Sequence, residues 1–227
     1  MYSIFHTSHC GSTYLSALLS KSLPTLAEPD WSHQVYNQEN PLEFIDQHQK
    51  DNEIVKYSSV CCYLMPLIKG KKIFLYRKLH DQIQKKKDCQ AVAFHLNVME
   101  KRFHPKTKLV EHDYSPKLIQ ATLWADRVFW AIDSKDIMFV EANDLFKNPQ
   151  FIAKQICVFF GIKYIPVDIN FHVKHIKNQF LRSNKYINVD EAGNTDEYVM
   201  PYIPIDFKTL KIQEQIIDQF PKLKYFV

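Results

Sequence analysis

The residues best suited to chemistry lie near the beginning of the chain, in the run His6-Thr7-Ser8-His9-Cys10-Gly11-Ser12-Thr13. Small side chains let an anion approach the backbone closely, and the hydroxyls of Ser12 and Thr13 add hydrogen-bond donors. If a helix begins here, its unpaired N–H groups and the positive end of its dipole also favour an anion. The run therefore predicts a phosphate-binding turn. The alternative is a capped tight turn without a ligand.

Other residue types that could do chemistry give weaker patterns. His80-Asp81 and His112-Asp113 have the residue types of a metal site, but the surrounding ligand set is missing, and no metal is expected. The five cysteines follow no regular spacing, which argues against a disulfide framework and favours reduced thiols in a cytoplasmic protein. Among the tryptophans, Trp31 is a pocket candidate, whereas Trp124 and Trp130 fit the core face of a helix.

The elements around the turn alternate between strand-like and helix-like segments. Short apolar runs at Tyr2–His6, 54–57, 73–76 and 137–141 predict strands. The helical stretches between them cover Thr13–Lys21 and roughly 41–50, 60–68, 90–103 and 116–132. Ser115 before Pro116 and Asn148 before Pro149 are typical of helix N-termini, and Gly161 is typical of a helix end.

This alternation predicts an α/β fold of three layers, with a central and mainly parallel sheet flanked by helices, similar to P-loop proteins. Ligands of such folds bind beyond the carboxyl ends of the strands. The loops after Phe5, Tyr57 and Tyr76 should therefore converge at one edge of the sheet. We expect one domain over residues 1–227, with 166–206 as an irregular lid segment and a short helix near 208–219.

Composition limits the classes of function. The net charge is +4, and no long Lys/Arg stripe occurs, so an anionic small ligand fits better than nucleic acid. The N-terminus has no secretory signal pattern, and no apolar stretch approaches the about 18 residues that span a membrane. The oligomeric state and the identity of a substrate cannot be read from the sequence.

Three ordered motifs resemble the PAPS-dependent sulfotransferase superfamily, bacterial members in particular. The first is the turn itself, His6 to Leu15, followed by Leu26-Ala-Glu-Pro29. The second is the strand Lys72-Ile-Phe-Leu-Tyr-Arg77, and the third runs from Ile137 to Ile162. Together they cover about half of the chain.

The resemblance implies roles for particular residues. The 5′-phosphosulfate of PAPS (3′-phosphoadenosine 5′-phosphosulfate) would be held by the turn, and PAP would be the product. The implied binding residues are His9, Cys10, Gly11, Ser12 and Thr13. Arg77 would bind the 3′-phosphate, because a planar guanidinium suits bidentate binding of a phosphate. The alternative is that Arg77 forms a salt bridge at the end of the strand.

The sequence departs from the family's pattern at three places. His9 stands where the loop usually carries Lys or Arg, so it stabilises a leaving phosphate only when protonated. Lys85 replaces a serine and would contact the 3′-phosphate as a point charge. The family's late glycine-rich basic loop is not recognisable, and Arg182 or Lys185 are its candidate substitutes.

A sulfuryl transfer also needs a base for the proton of the acceptor. Glu28 is the first candidate, because it follows a short apolar run and should emerge at the ligand edge. His33 and His9 are the reserve bases, and the alternative for Glu28 is a surface or capping carboxylate. His6 fits a strand-end histidine bonded to the backbone.

The resemblance implies a sulfotransferase that acts on a hydroxyl or amine of a small-molecule acceptor, with His9 and Glu28 as catalytic residues. Three alternatives remain at this point. The departures at His9 and Lys85 fit a relative that binds PAP, PAPS or another nucleotide without transfer. The second is a P-loop-like small-molecule kinase, although the usual lysine and Mg²⁺ pattern is missing. The third is an interaction protein that merely retains the fold.

Overall fold

The computed structural model describes residues 1–7, 10–84, 116–167, 183–190 and 207–227. These residues form two compact units, Met1–Tyr76 with Ser134–Met200 and Arg77–Asp133 with Pro201–Val227. The single domain expected from the sequence stays a prediction. Of the lid expected at 166–206, only 166–167 and 183–190 lie within the described residues.

A five-stranded sheet forms the centre of the first unit. Its strands are β1 (Tyr2–His6), β2 (Thr25–Ala27), β3 (Ile54–Lys56), β4 (Lys71–Tyr76) and β5 (Ile137–Glu141). They lie in the order β2-β3-β1-β4-β5, and every pairing is parallel. The α/β fold with a parallel central sheet is confirmed, and the carboxyl ends of all five strands share one edge.

The α-helices of the described residues are α1 (Ser12–Leu19), α2 (Pro41–His48), α3 (Leu79–Gln84), α4 (Pro116–Ile132), α5 (Ala142–Lys147), α6 (Pro149–Phe160) and α7 (Phe207–Gln219). Short 3-10 segments lie at Asp30–His33, Val35–Asn37, Ser59–Leu64 and Pro221–Tyr225. The stretch expected as a helix at 60–68 is thus a 3-10 segment followed by turns, and the helix expected at 90–103 lies outside the described residues.

The apolar core of the first unit follows the alternation of the strands. Ile4, Ile73 and Leu75 point to one face, where they pack with α1, α5 and α6. The opposite face carries Phe5 and Phe74, which are also fully buried. Burial on both faces explains why these strands are almost continuously apolar in the sequence.

The boundaries of α6 show how local sequence signals act. Asn148 occupies the N-cap position before Pro149, and the missing N–H of proline costs nothing in the first turn. Gly161 ends the helix with φ of +78°, a left-handed conformation that favours glycine. Both signals were read correctly from the sequence, whereas Ser115 lies outside the described residues.

Residues 183–190, here called the edge segment, lie along the open hydrogen-bonding edge of β2. Tyr186 forms an antiparallel bridge with Leu26, and the Ile187 N–H donates to the Thr25 carbonyl over 2.9 Å. The side chain of Ile187 packs against Ala17 and Ala27. The edge segment therefore satisfies backbone groups that an outer strand would leave open.

In the second unit, α3, α4 and α7 pack on one another. Trp124 and Trp130 are buried there, as the sequence predicted. The Trp124 Nε1–H donates to the backbone carbonyl of Arg77 over 2.8 Å, which fixes the chain immediately after β4.

No helix among the described residues is both long enough and apolar enough to cross a membrane.

Candidate functional site

The predicted phosphate-binding turn opens a helix. Gly11 is the N-cap residue of α1, and its carbonyl accepts a hydrogen bond from the Leu15 N–H at 2.9 Å. The first N–H groups of the helix therefore point out of its N-terminus without a carbonyl partner in the helix. The Cys10 thiol donates to the Thr7 carbonyl over 2.9 Å and ties the two sides of the turn together. This geometry can bind an anion.

Gly11 is required in the turn for two reasons. Its φ is +89°, which L-residues rarely adopt, and a Cβ built on it would lie 2.6 Å from Cζ of Phe146. Phe146 belongs to α5 and stacks on Tyr14 with ring centroids 5.7 Å apart. Close packing between this aromatic pair and the backbone of the turn leaves no room for a side chain.

A buried lysine lies beside the turn. The register of the sheet places Lys56, the last residue of β3, between Ile4 of β1 and Ala27 of β2. Its side chain is 3% exposed, and its Nζ donates to Oγ1 of Thr13 over 3.2 Å. Because the Thr13 oxygen accepts this bond, its hydroxyl hydrogen can be donated to an anion in the turn.

The charge of Lys56 is balanced by Glu28, the residue that follows β2. Lys56 Nζ donates to Glu28 Oε1 over 2.6 Å, and the Glu28 N–H donates to the Lys56 carbonyl over 2.8 Å. Glu28 has φ of +49° although it is not glycine and precedes Pro29, a place where extended backbone is preferred. Strained conformations of this kind persist where the surroundings hold them, and they are frequent at functional sites.

Two histidines face the Glu28 carboxylate from different elements. His6 Nε2 lies 3.7 Å from Oε1, and His33 Nε2 lies 3.7 Å from Oε2. The side chain of His6 is 7% exposed and that of His33 is 27% exposed. The Nδ1 of His6 also lies 2.8 Å from the Thr7 carbonyl, which fits the strand-end histidine bonded to the backbone that the sequence predicted.

The charges of this cluster stabilise one another. Burial disfavours the Glu28 carboxylate, but His6 and Lys56 outweigh it and hold the pKa of Glu28 well below its usual range. Burial also opposes charge on His6, whereas Cys10 and Glu28 favour it, and the net result is a raised pKa for His6. A buried carboxylate is thus kept ionised at the carboxyl edge of the sheet.

The loop that carries Glu28 and His33 is held from both sides. The Asn184 side chain, on the edge segment, accepts a hydrogen bond from the Asp30 N–H at 2.8 Å. The Ser32 hydroxyl donates to the Pro29 carbonyl over 2.7 Å. Trp31 is buried and meets Tyr57 edge to face, with centroids 5.9 Å apart. These contacts fix the position of both side chains relative to Lys56.

The structure thus brings several predicted residues together. Glu28, Cys10, Gly11, Ser12 and Thr13 all lie at the carboxyl edge of the first unit. His9, Lys85 and Arg182 lie outside the described residues. Arg77 directly follows β4, is 4% exposed and belongs to the second unit, and Lys185 is exposed on the edge segment.

Sequence reasoning missed Lys56. The signal was present, because a lysine ends the apolar run Ile54-Val55-Lys56 and the carboxyl end of a buried strand is the ligand edge. A buried lysine is rare unless it is paired, so its presence in this run also predicts a nearby carboxylate. What the sequence could not supply was the strand order, which sets β3 between β2 and β1.

Within the described part of the chain, no group of three His, Cys, Asp or Glu side chains is arranged to hold a metal ion.

No family model and no curated protein matches this chain. Solved structures do resemble it. A sulfotransferase domain from the curacin biosynthetic pathway aligns with a TM-score of 0.50 and 14% identity, over 95% of this chain and 96% of that one. A sulfotransferase from Alicyclobacillus acidocaldarius aligns with a TM-score of 0.48 and 11% identity, over 75% and 85% of the two chains.

The sulfotransferase domain of the Synechococcus PCC 7002 olefin synthase aligns with a TM-score of 0.42 and 10% identity, over 95% of this chain and 94% of that one. At such identities the likeness is one of fold. The chain has a sulfotransferase-like fold, as the resemblance of the three ordered motifs implied.

Proposed function

We propose that the chain binds PAPS at the turn of residues 7–13 and transfers its sulfuryl group to a hydroxyl or amine of a small-molecule acceptor. The observation that carries this proposal is the position of Lys56. Its ammonium group contacts Thr13 Oγ1 at 3.2 Å and Glu28 Oε1 at 2.6 Å, beside the N-terminus of α1. An anion-binding turn, a buried cation and an ionised carboxylate thus meet at one edge of the sheet.

Each part has a task in this reaction. The backbone N–H groups of the turn and the hydroxyls of Ser12 and Thr13 hold the phosphosulfate, which is a dianion at this point. Lys56 compensates the negative charge that develops on the leaving phosphate, a task the loop residue His9 performs only when protonated. Charge stabilisation of this kind is worth about 3 kcal/mol for a single donor.

Two further residues bind the nucleotide in this proposal. Arg77 holds the 3′-phosphate, and Lys85 adds a point charge to it. Both assignments come from the resemblance of the strand Lys72–Arg77 and the residues after it. Glu28 belongs to the catalytic centre, where its charge balances that of Lys56.

A binding protein without transfer activity is the second candidate. It is favoured by the short distance of 2.6 Å between Lys56 and Glu28, because a lysine engaged by a carboxylate is less available to a sulfuryl group. Both candidates bind PAP, and they differ only in turnover. If Mg²⁺ and ATP stabilise the chain more than PAP does, a small-molecule kinase is indicated instead.

The test combines a binding and a turnover measurement. PAP in excess should raise the melting temperature of the wild-type chain by linkage, and Arg77→Ala should lose most of this shift. Incubation with ³⁵S-labelled PAPS and a panel of phenols, alcohols and amines should give PAP and a labelled product. Absence of both the shift and the turnover would reject the proposal, and a shift without turnover would select the binding protein.

Lys56→Met is the decisive variant for the role of this lysine, and Lys71→Met is its matched control. Lys71 is the same residue type at the opposite end of β4, another strand of the same sheet, and it is exposed. Loss of the PAP shift and of turnover in Lys56→Met only would support the role of Lys56. If the two variants behave alike, Lys56 has no specific role in PAP binding or turnover.

A further inference from the structure

The Glu28 carboxylate is poorly suited to take a proton itself. Oε1 lies 2.6 Å from Lys56 Nζ and 3.7 Å from His6 Nε2, so positive groups surround that oxygen. These neighbours hold the pKa of Glu28 below its usual range, whereas a base works best when its pKa lies near the working pH. Its charge is better suited to orient a neighbouring side chain.

The second oxygen of Glu28 identifies that neighbour. Oε2 lies 3.7 Å from Nε2 of His33, which is five residues later on the 3-10 segment Asp30–His33. His33 is 27% exposed, compared with 14% for Glu28 and 7% for His6. His33 is therefore the member of the cluster that an acceptor entering from solvent reaches first.

The chemistry of the side chains fits the same assignment. An imidazole titrates near neutral pH, which suits a general base. A carboxylate behind an imidazole orients the ring and stabilises the imidazolium that forms when it takes a proton, without becoming protonated itself. His6 also faces Glu28, but it is more deeply buried and its Nδ1 lies 2.8 Å from the Thr7 carbonyl.

We infer that His33 is the general base of the proposed transfer and that Glu28 is its positioning residue. The inference rests on the proposed function. In the step, the acceptor oxygen forms a bond to sulfur while its proton passes to the His33 imidazole. The bond between sulfur and the bridging oxygen of PAPS breaks, and PAP leaves with that electron pair. Glu28 stays ionised throughout and pairs with the imidazolium, which later releases its proton to water.

Several charged or titratable groups surround the pair and enter any pH dependence. Lys56 faces Glu28 from β3, and His6 faces it from β1. Cys61 lies on the segment Ser59–Leu64, where burial, Cys62 and Glu28 together raise the pKa of its thiol. His48 of α2 stacks on Trp31, two residues before His33, with ring centroids 5.6 Å apart.

The test uses His33→Gln, Glu28→Gln and the control His48→Gln, an exposed histidine outside the cluster. PAP binding is measured first by calorimetry, and then PAPS turnover with the acceptor that the wild type uses best in the panel. His33→Gln should bind PAP within about twofold of the wild type, while kcat falls by about 100-fold or more. His48→Gln should change neither quantity.

Two readouts separate a base from a structural residue. Imidazole added to His33→Ala should restore part of the lost kcat. Glu28→Gln should lose less kcat than His33→Gln and should shift the acid limb of the pH profile to lower pH, because the imidazolium loses its carboxylate. Glu28→Asp, which keeps the charge and the balance with Lys56, should return that limb toward the wild-type position.

The outcomes are distinguishable from failure of the proposed function. If the wild type does not bind PAP, the proposed function fails and the inference with it. If the wild type binds PAP but transfers sulfate to no acceptor and not to water, the proposed transfer fails and the inference with it. The inference alone is overturned if the wild type turns over and His33→Gln retains kcat within about threefold, since a general base contributes far more.

Discussion

At the scale of single residues, the site depends on one buried charge pair. Lys56 and Glu28 are both largely shielded from water, and each is costly to bury without the other. Thr13 and the two histidines add polar contacts, so the pair belongs to a network rather than to an isolated salt bridge. Such networks are strongly non-additive when one member is removed.

The pair predicts coupled stability effects. Lys56→Met leaves the Glu28 carboxylate buried without its nearest cation, and it should lower the free energy of unfolding by about 3 kcal/mol. The double variant with Glu28→Gln should lose clearly less than the sum of the two single losses. Urea unfolding at neutral pH measures all three variants. Strict additivity would mean that the two side chains are not coupled in solution.

His6 predicts a fall of stability with rising pH. Its pKa is raised in the folded chain above the ordinary value of 6.5. Its contribution is complete below 6.5 and is lost as the pH rises through the folded pKa, since the unfolded chain releases the proton first. Urea midpoints over this range should decline in the wild type and change less in His6→Gln. An identical slope in both proteins would contradict the assignment to His6.

Glu28 predicts the opposite dependence of stability on pH. Because its folded pKa is depressed, its contribution is complete above the ordinary value of 4.5 and is lost only as the pH falls toward the folded pKa. The two groups therefore favour the folded chain most strongly between these two ordinary values.

At the scale of elements, the sequence predicted the turn before α1 and the loop after β2. It did not predict Lys56, the residue that contacts both. Small residues before a helical pattern indicated the turn, and Gly11 carries the positive φ that the turn needs. The position of Lys56 beside Glu28 depends on β3 lying between β1 and β2, an order that local patterns do not encode. The bridge from the edge segment to β2 is likewise a long-range contact in a part of the sequence without clear periodicity.

Gly11 predicts a sharp effect on binding. Gly11→Ala combines an unfavourable φ of +89° with a Cβ placed 2.6 Å from Phe146 Cζ, so the turn must move. PAP should then no longer raise the melting temperature. Adding Phe146→Leu removes the contact but not the backbone strain, so it should recover part of the stability. Full recovery of both stability and PAP binding would show that φ at Gly11 is unimportant.

Asn184 predicts that the edge segment supports the site. Asn184 has φ of +54°, so Asn184→Gly removes the acceptor for the Asp30 N–H without adding strain. The stability loss should be about 1 kcal/mol or less, and hydrogen exchange at the Asp30 amide should accelerate. Asn188→Gly is a control within the same segment. If hydrogen exchange at the Asp30 amide is unchanged in Asn184→Gly, the edge segment does not support the site.

At the scale of the whole molecule, an α/β chain was predictable because strand and helix patterns alternate and a sheet buried on both faces is almost continuously apolar. The sulfotransferase-like fold followed from three motifs whose order fits the family, although the identity to a solved structure of that fold is only 14%. The division into two compact units was not predicted. Its first boundary falls between Tyr76 and Arg77, inside one of those motifs, where no change of composition marks it.

The most direct test of the central claim is amide chemical-shift mapping of the ¹⁵N-labelled chain during titration with PAP. The turn beside Lys56 is proposed to bind the nucleotide, so the largest saturable changes should occur at the amides of Gly11, Ser12 and Thr13 and should be lost in Lys56→Met but not in Lys71→Met. Saturable binding of PAP that leaves these three amides unmoved would contradict the account.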